Sequence, residues 1–164
     1  MAQLAHQYFC RSAERFPDKV AVTCGSESTT YRELDQFSNA FARELGNHGV
    51  ERGTYVPFFM AKSVRSMQAM LSILKADCAY VPLDYASPRE RLVSILDSTD
   101  ASLVIVDDES GPALEALGID VPTLNISAFE PADTAALDYR NIDIDLAYVL
   151  FTSGSTGTPK GVMI

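Results

Sequence analysis

Tyr148-Val149-Leu150-Phe151-Thr152-Ser153-Gly154-Ser155-Thr156-Gly157-Thr158-Pro159-Lys160-Gly161-Val162-Met163-Ile164 is the stretch from which the rest of the chain is read. An apolar strand runs straight into Ser, Thr and Gly, then Pro-Lys-Gly, and a second apolar strand begins. This is how a chain builds a cradle for a polyphosphate. Glycines let the backbone approach an anion and aim N–H groups at it. Hydroxyls donate further hydrogen bonds, and Lys160 adds a compact positive charge. On composition alone such a cluster between two strands is an ordinary turn. Two details favour the cradle. Thr152, Ser153, Ser155, Thr156 and Thr158 interleave with Gly154 and Gly157, more donors than a hairpin needs. Lys160 also sits behind Pro159, whose ring fixes the local backbone. The loop is not a Walker A motif, because its glycines are too close and Gly161, not Ser or Thr, follows the lysine. Nor is it a dinucleotide fingerprint, since no helix-opening G-x-G-x-x-G is present.

Working back from that strand, the chain alternates helices and strands. Leu4 to Arg15 has a helical pattern that ends before Pro17. Lys19 to Cys24 is a short strand, followed by a Gly25-Ser26 turn and Ser28 to Tyr31. Thr30, with Glu33 three residues on, forms a capping box. Leu34, Phe37, Phe41 and Leu45 then share one helical face, and Gly46 and Gly49 end that helix. Thr54 to Met60 is apolar on both faces and so predicts a central strand. Ser63 caps a helix carrying Val64, Met67, Met70, Leu71 and Leu74, a stripe that reads as core. Ala79 to Leu83 is a strand. Ser87, Pro88 and Glu90 open another helix as N-cap, N1 and N3. Ser102 to Val106 is a strand and Gly111 to Leu117 a short helix. Residues 118–145 are polar, acidic and loop-like, with one short strand near Val121 to Leu124. The alternation predicts an α/β fold: a layered, largely parallel sheet with helices on both faces. In such sheets ligands sit beyond the carboxyl ends of strands, where the loop from Thr152 falls.

Composition narrows the function classes. With 164 residues and 47% hydrophobic residues, the chain suffices for one substantial core. A net charge of −9 disfavours nucleic acid and anionic membrane surfaces as partners. No apolar run reaches the length of a membrane span; Tyr55 to Ala61 is typical of the longest. Met1 to Cys10 lacks a basic region followed by an apolar stretch, so no signal peptide is expected. Cys10, Cys24 and Cys78 lie far apart, form no metal spacing, and suggest reduced thiols in the cytosol. His6 and His48 have no partner spacing and are expected at the surface.

Thr152 to Gly161 resembles the phosphate-loop motif of the adenylate-forming enzymes: acyl-CoA synthetases, luciferases and the adenylation domains of nonribosomal peptide synthetases. Leu74-Lys75-Ala76-Asp77-Cys78-Ala79-Tyr80-Val81-Pro82-Leu83-Asp84 resembles the L-K-A-G-x-A-Y-V-P-L-D motif of the peptide-synthetase branch. Pro88-x-x-Arg91-Leu92 continues it, and Thr30-Tyr31-Arg32-Glu33-Leu34 fits the earlier T-Y-x-E-L motif. The three motifs stand in order along nearly the whole chain. Two places depart: Asp77-Cys78, where the family has small residues, and Tyr85-Ala86-Ser87, where it prefers Pro and an aromatic. Both bear on local backbone geometry.

The resemblance implies that a carboxylic acid, an amino acid in the peptide-synthetase branch, attacks the α-phosphate of ATP. The products are an acyl-adenylate and pyrophosphate, and the acyl group then passes to a phosphopantetheine thiol. It casts Thr152, Ser153, Ser155, Thr156, Thr158 and Lys160 as ligands of the β- and γ-phosphates. Gly154 and Gly157 give backbone access, Mg2+ shares the neutralisation, and Lys160 is the catalytic residue. No metal ligand is assigned, and Tyr80, Asp84 and Arg91 fall to the scaffold. Implied partners are ATP, a small carboxylic or amino acid, and downstream carrier and condensation domains. Residues 1–164 are expected to be a partial adenylation domain, the first part of the large N-terminal domain, truncated just after the phosphate loop and inactive alone. An acyl- or aryl-CoA ligase and a non-catalytic remnant stay open as alternatives; the Ala79 to Asp84 segment speaks against the first.

Overall fold

A computed structural model describes residues 4–152 and 159–164 of the chain. Thirteen helices and strands follow in order: α1 (Ala5–Arg15), β1 (Val20–Cys24), β2 (Glu27–Thr30), α2 (Tyr31–Asn47), β3 (Tyr55–Phe59), α3 (Val64–Lys75), β4 (Ala79–Leu83), α4 (Arg89–Thr99), β5 (Val104–Val106), α5 (Ser110–Ala116), β6 (Thr123–Asn125), β7 (Val149–Thr152) and β8 (Lys160–Met163). Local chemistry sets their ends. The Glu33 amide donates to Thr30 Oγ1 (3.2 Å) and the Thr30 amide to Glu33 Oε2 (2.8 Å), so the capping box at α2 is closed. Gly49, at φ +80, supplies the left-handed residue after α2. At α4 the expected N-cap is displaced by one residue. The Ser87 amide donates back to the Asp84 carbonyl (2.9 Å), and the Pro88 carbonyl accepts from Arg91 (3.0 Å) and Leu92 (3.2 Å). Pro88 is therefore the cap, and Ser87 belongs to the preceding turn.

The strands β4, β3, β5 and β6 form, in that order, one parallel sheet. As the apolar run predicts, β3 is interior. Its side chains alternate between two cores. Val56 and Phe58 meet Phe37, Phe41 and Leu45 of α2 and Ala69 and Ile73 of α3. Phe59 meets Leu92, Ile95 and Leu96 of α4 and Leu114 of α5. Helices thus cover both faces, which is why β5 is apolar at all three positions. Phe41 (0% exposed) and Phe59 (1%) each contribute about 2–3 kcal/mol by leaving water. Two antiparallel hairpins, β1–β2 and β7–β8, lie outside this sheet.

A buried polar seam fastens α2 and α3 together. The Lys75 side chain is fully buried; its ammonium donates to Asp35 Oδ1 (2.7 Å), Asn39 Oδ1 (2.7 Å) and the Asp35 carbonyl (3.1 Å). His6 corrects the surface expectation: it is 2% exposed, with its ring edge-on to Tyr139 at 4.6 Å. The spacing of His6, Phe9, Cys10 and Ala13 along one face of α1 carries that signal in the sequence. His48 does lie at the surface beside Glu44.

The acidic stretch 118–145 has little regular structure beyond β6 and one short 3-10 turn, yet it is tied down. Phe129 sits edge-on to Phe37 and Phe41. Asn39 Nδ2 donates to the Thr134 carbonyl (3.1 Å), and Arg43 pairs with Asp133 (3.1 Å). Asp77, at φ 59, holds the left-handed position where the motif has glycine. Its carboxylate, 5% exposed, accepts from the amides of Arg140 and Asn141 and from Arg140 Nε (3.1–3.2 Å). These bonds offset the unfavourable backbone and anchor the segment that leads to β7.

Candidate functional site

Ser153, Gly154, Ser155, Thr156, Gly157 and Thr158 lie outside the described residues, so the site is built from its two ends. Those ends are brought together. β7 and β8 pair antiparallel with Val149 opposite Met163, Leu150 opposite Val162, Phe151 opposite Gly161 and Thr152 opposite Lys160. Thr152 Oγ1 lies 3.4 Å from the Lys160 carbonyl oxygen. Both Thr152 and Lys160 are exposed, and among the described residues Lys160 has no carboxylate partner. Its charge is open to an anionic ligand.

The hairpin is oriented by β4. Tyr148 bridges to Tyr80 in the parallel sense, the Tyr80 amide donates to the Ala147 carbonyl (3.1 Å), and the two tyrosine rings stack at 5.0 Å. Burial, with Tyr148 nearby, raises the Tyr80 phenol above its usual range, so it stays protonated. Because β7 runs parallel to β4, Thr152 emerges at the carboxyl end of the sheet, on the side of Leu83 and Asp84. That is the end at which open α/β sheets bind ligands. Tyr80 and Asp84 serve the scaffold, as expected: Tyr80 aligns the hairpin, and Asp84 Oδ1 accepts from the Ala86 amide (3.0 Å). Tyr85, a departure from the motif, stacks on Phe59 at 5.0 Å.

Arg91 reaches further than the sequence suggests. From the first turn of α4, its Nη2 donates to the Phe151 carbonyl (2.8 Å), one residue before Thr152. Gly161, across from Phe151, is exposed but has little room for a side chain. A Cβ there would lie 2.9 Å from Val149 Cγ1 and 3.3 Å from Phe151 Cζ, so no larger residue fits without movement.

A cavity of about 1070 Å3 opens at the same end of the sheet but beside β3 and β5. There Lys62 and Arg65 face Glu27, Glu33, Asp107, Asp108 and Glu109. Two cations against five carboxylates make a poor polyphosphate site. Charge therefore favours the ends of the Thr152–Lys160 loop over this cavity. Among the described residues no helix is long and apolar enough to cross a membrane.

Comparison with known proteins bears on the family and the fold. The family described as AMP-binding enzyme matches residues 9–164. Surfactin synthase subunit 2 of Bacillus subtilis is 38% identical over 159 residues, 97% of this chain and 4% of that protein. The crystal structure of the nonribosomal peptide synthetase FmoA3 superposes with a TM-score of 0.88 at 33% identity, covering 100% of this chain and 17% of its own. Its AMPPNP-bound form gives 0.85 at 33% identity, covering 97% and 17%. The fatty acyl-adenylate ligase from L. pneumophila, in complex with acyl adenylate and pyrophosphate, gives 0.85 at 26% identity, covering 97% and 30%. The chain thus spans a small part of the length of the relatives it matches.

Proposed function

From the premise that this chain belongs to the AMP-binding enzyme family, we propose that it is the leading part of an adenylation domain that activates an amino acid with ATP. The observation that carries the reading is the delivery of Thr152 and Lys160, paired across the base of one hairpin, to the carboxyl end of a parallel sheet. Likeness to peptide synthetases supports the amino acid as substrate. In this reading the substrate carboxylate attacks the α-phosphate and pyrophosphate leaves. Transfers of this kind depend on positioning and on stabilising charge.

Lys160 would meet charge developing on the leaving phosphates, and Thr152, Ser153, Ser155, Thr156 and Thr158 would donate hydrogen bonds to them. Gly154 and Gly157 would let the backbone come close. Mg2+, when bound with the nucleotide, neutralises part of the phosphate charge. Among the described residues no group of three His, Cys, Asp or Glu converges where a metal ion could sit. In this reading the metal enters with ATP. Residues for adenine, ribose and the side-chain pocket, a carrier domain with its phosphopantetheine thiol, and a condensation domain belong to the longer synthetase, placed in the cytoplasm. The fatty acyl-adenylate ligase keeps a second reading in view, in which the substrate is a free carboxylic acid.

The test is ATP–pyrophosphate exchange in the full-length protein across a panel of amino acids and carboxylic acids. Lys160→Ala should slow exchange by about one to two orders of magnitude, the scale of losing one charged stabiliser, with substrate preference unchanged. Ser155→Ala with Thr156→Ala should leave the ligand-free melting temperature unaltered and reduce the stabilisation conferred by ATP-Mg. Equal ATP-induced shifts in wild type and double variant would remove the phosphate cradle. A changed substrate preference with normal exchange would move Lys160 to another role.

A further inference from the structure

Phe151 is held from two directions, and neither contact is needed to close a hairpin. Its carbonyl accepts from Arg91 Nη2 at 2.8 Å, although the two residues are 60 positions apart. Its ring is half-buried against the second core and borders Gly161, where an added Cβ would meet Val149 Cγ1 at 2.9 Å and Phe151 Cζ at 3.3 Å. The residues that follow these two contact points toward the loop are Thr152 on one strand and Lys160 on the other.

The far side of the clamp is rigid. Arg91 lies in the first turn of α4, with its own amide bonded to the Pro88 carbonyl (3.0 Å). Its neighbour Leu92 is fully buried, and Ile95 follows into the same core. Val149, on β7, is 4% exposed and belongs to that core too. A guanidinium is a planar, permanently charged donor whose geometry varies little. A carbonyl held by it cannot twist without giving up a charge-assisted bond.

We propose that Arg91 is a positioning residue for the phosphate loop: it locks the Phe151 peptide to α4 and so fixes where Thr152 and Lys160 stand relative to the sheet. Gly161 is the complementary half, since a Cβ there would press on Val149 Cγ1 at 2.9 Å and on the Phe151 ring at 3.3 Å. The inference rests on the proposed phosphate-binding role of the loop. Its chemical basis is that stabilising groups act only when placed before the reaction, and a misplacement of about 1 Å costs on the order of 100-fold.

Two measurements on the full-length protein test it. In hydrogen exchange, Arg91→Met should speed exchange of the 160–162 amides by about 10-fold, with β3 and β5 amides unchanged, as for local rather than global opening. In ATP–pyrophosphate exchange, Arg91→Met should raise KM for ATP and lower kcat, together costing about 10- to 100-fold in kcat/KM. KM for the acid substrate should stay within about twofold, because only the loop's phosphate contacts are displaced. Arg91→Lys keeps charge but not the fork, and should recover part of both effects; it carries the test should Arg91→Met fail to fold. Gly161→Ala should mimic Arg91→Met in both readouts. A wild-type KM for ATP in folded Arg91→Met, or in Arg91→Lys where only that variant folds, would overturn the inference alone. Wild-type protein without exchange on any acid and without an ATP-induced thermal shift would overturn the functional reading and this inference with it.

Discussion

Asp35→Asn tests the buried seam most directly. Lys75 has no exposed side-chain surface, and its ammonium meets one carboxylate oxygen at 2.7 Å, one amide oxygen at 2.7 Å and one peptide carbonyl at 3.1 Å. Removing the carboxylate leaves a buried cation with neutral acceptors only. Breaking such a pair costs about 3–5 kcal/mol. The two acceptors that remain, and the 28% exposure of the Asp35 side chain, place the loss near the lower end, about 3 kcal/mol. For a chain of this size that is a fall of about 6–12 °C in melting temperature near neutral pH.

The sign of the pH dependence follows from Lys75. Burial lowers its pKa and Asp35 opposes that shift, with the net direction downward from 10.5. Between the folded and unfolded pKa values the unfolded chain binds more protons, so stability rises with pH across that window. Without the Asp35 carboxylate the folded pKa falls further and the window opens at lower pH. The deficit of Asp35→Asn should therefore narrow between about pH 7 and about pH 9.5 as Lys75 sheds its proton. Replacing both residues, Asp35→Leu with Lys75→Met, should restore most of the loss, because an apolar pair has no charge to strand. Thermal melts of the wild type and these two variants at the two pH values decide it. A single variant within 2 °C of wild type, or a deficit independent of pH, would show that the ammonium reaches water.

Two further outcomes are expected. Burial, with the nearby Lys75 cation, holds the His6 imidazole below its usual range of about 6.5, against the pull of Asp77. Stability present above that value should be lost as the pH falls through it, and His6→Phe should flatten the drop in melting temperature between about pH 7 and about pH 5. Equal drops in both proteins would place the ring in contact with solvent. Burial raises the Cys78 thiol to about 11, and the side chain is 0% exposed. Iodoacetamide should accordingly modify the half-buried Cys24 in the native protein and reach Cys78 only on unfolding. Labelling of Cys78 at the rate of Cys24 would refute that.

Much of this protein is legible residue by residue. Thr30 and Glu33 close a capping box because the partners are three positions apart, and Gly49 ends α2 because no other residue reaches φ +80 without strain. The apolar run from Tyr55 to Phe59 predicts an interior strand, since both of its faces must find a core. The loop chemistry is equally local, as the hydroxyls, glycines and Lys160 stand in one run of sequence.

The tertiary structure decided what lies across long stretches of chain. Residue pattern says that β4 is a strand, but not that its edge receives Tyr148 and so aims Thr152. It shows Arg91 at a helix start, not that its guanidinium reaches Phe151. It marks Asp77 as a departure from a motif, not as the acceptor that anchors residues 140–141. The physical reason is common to all three. Periodicity and capping report interactions within a few residues, whereas these partners lie 60 or more positions apart and are brought together by the packing of the whole sheet.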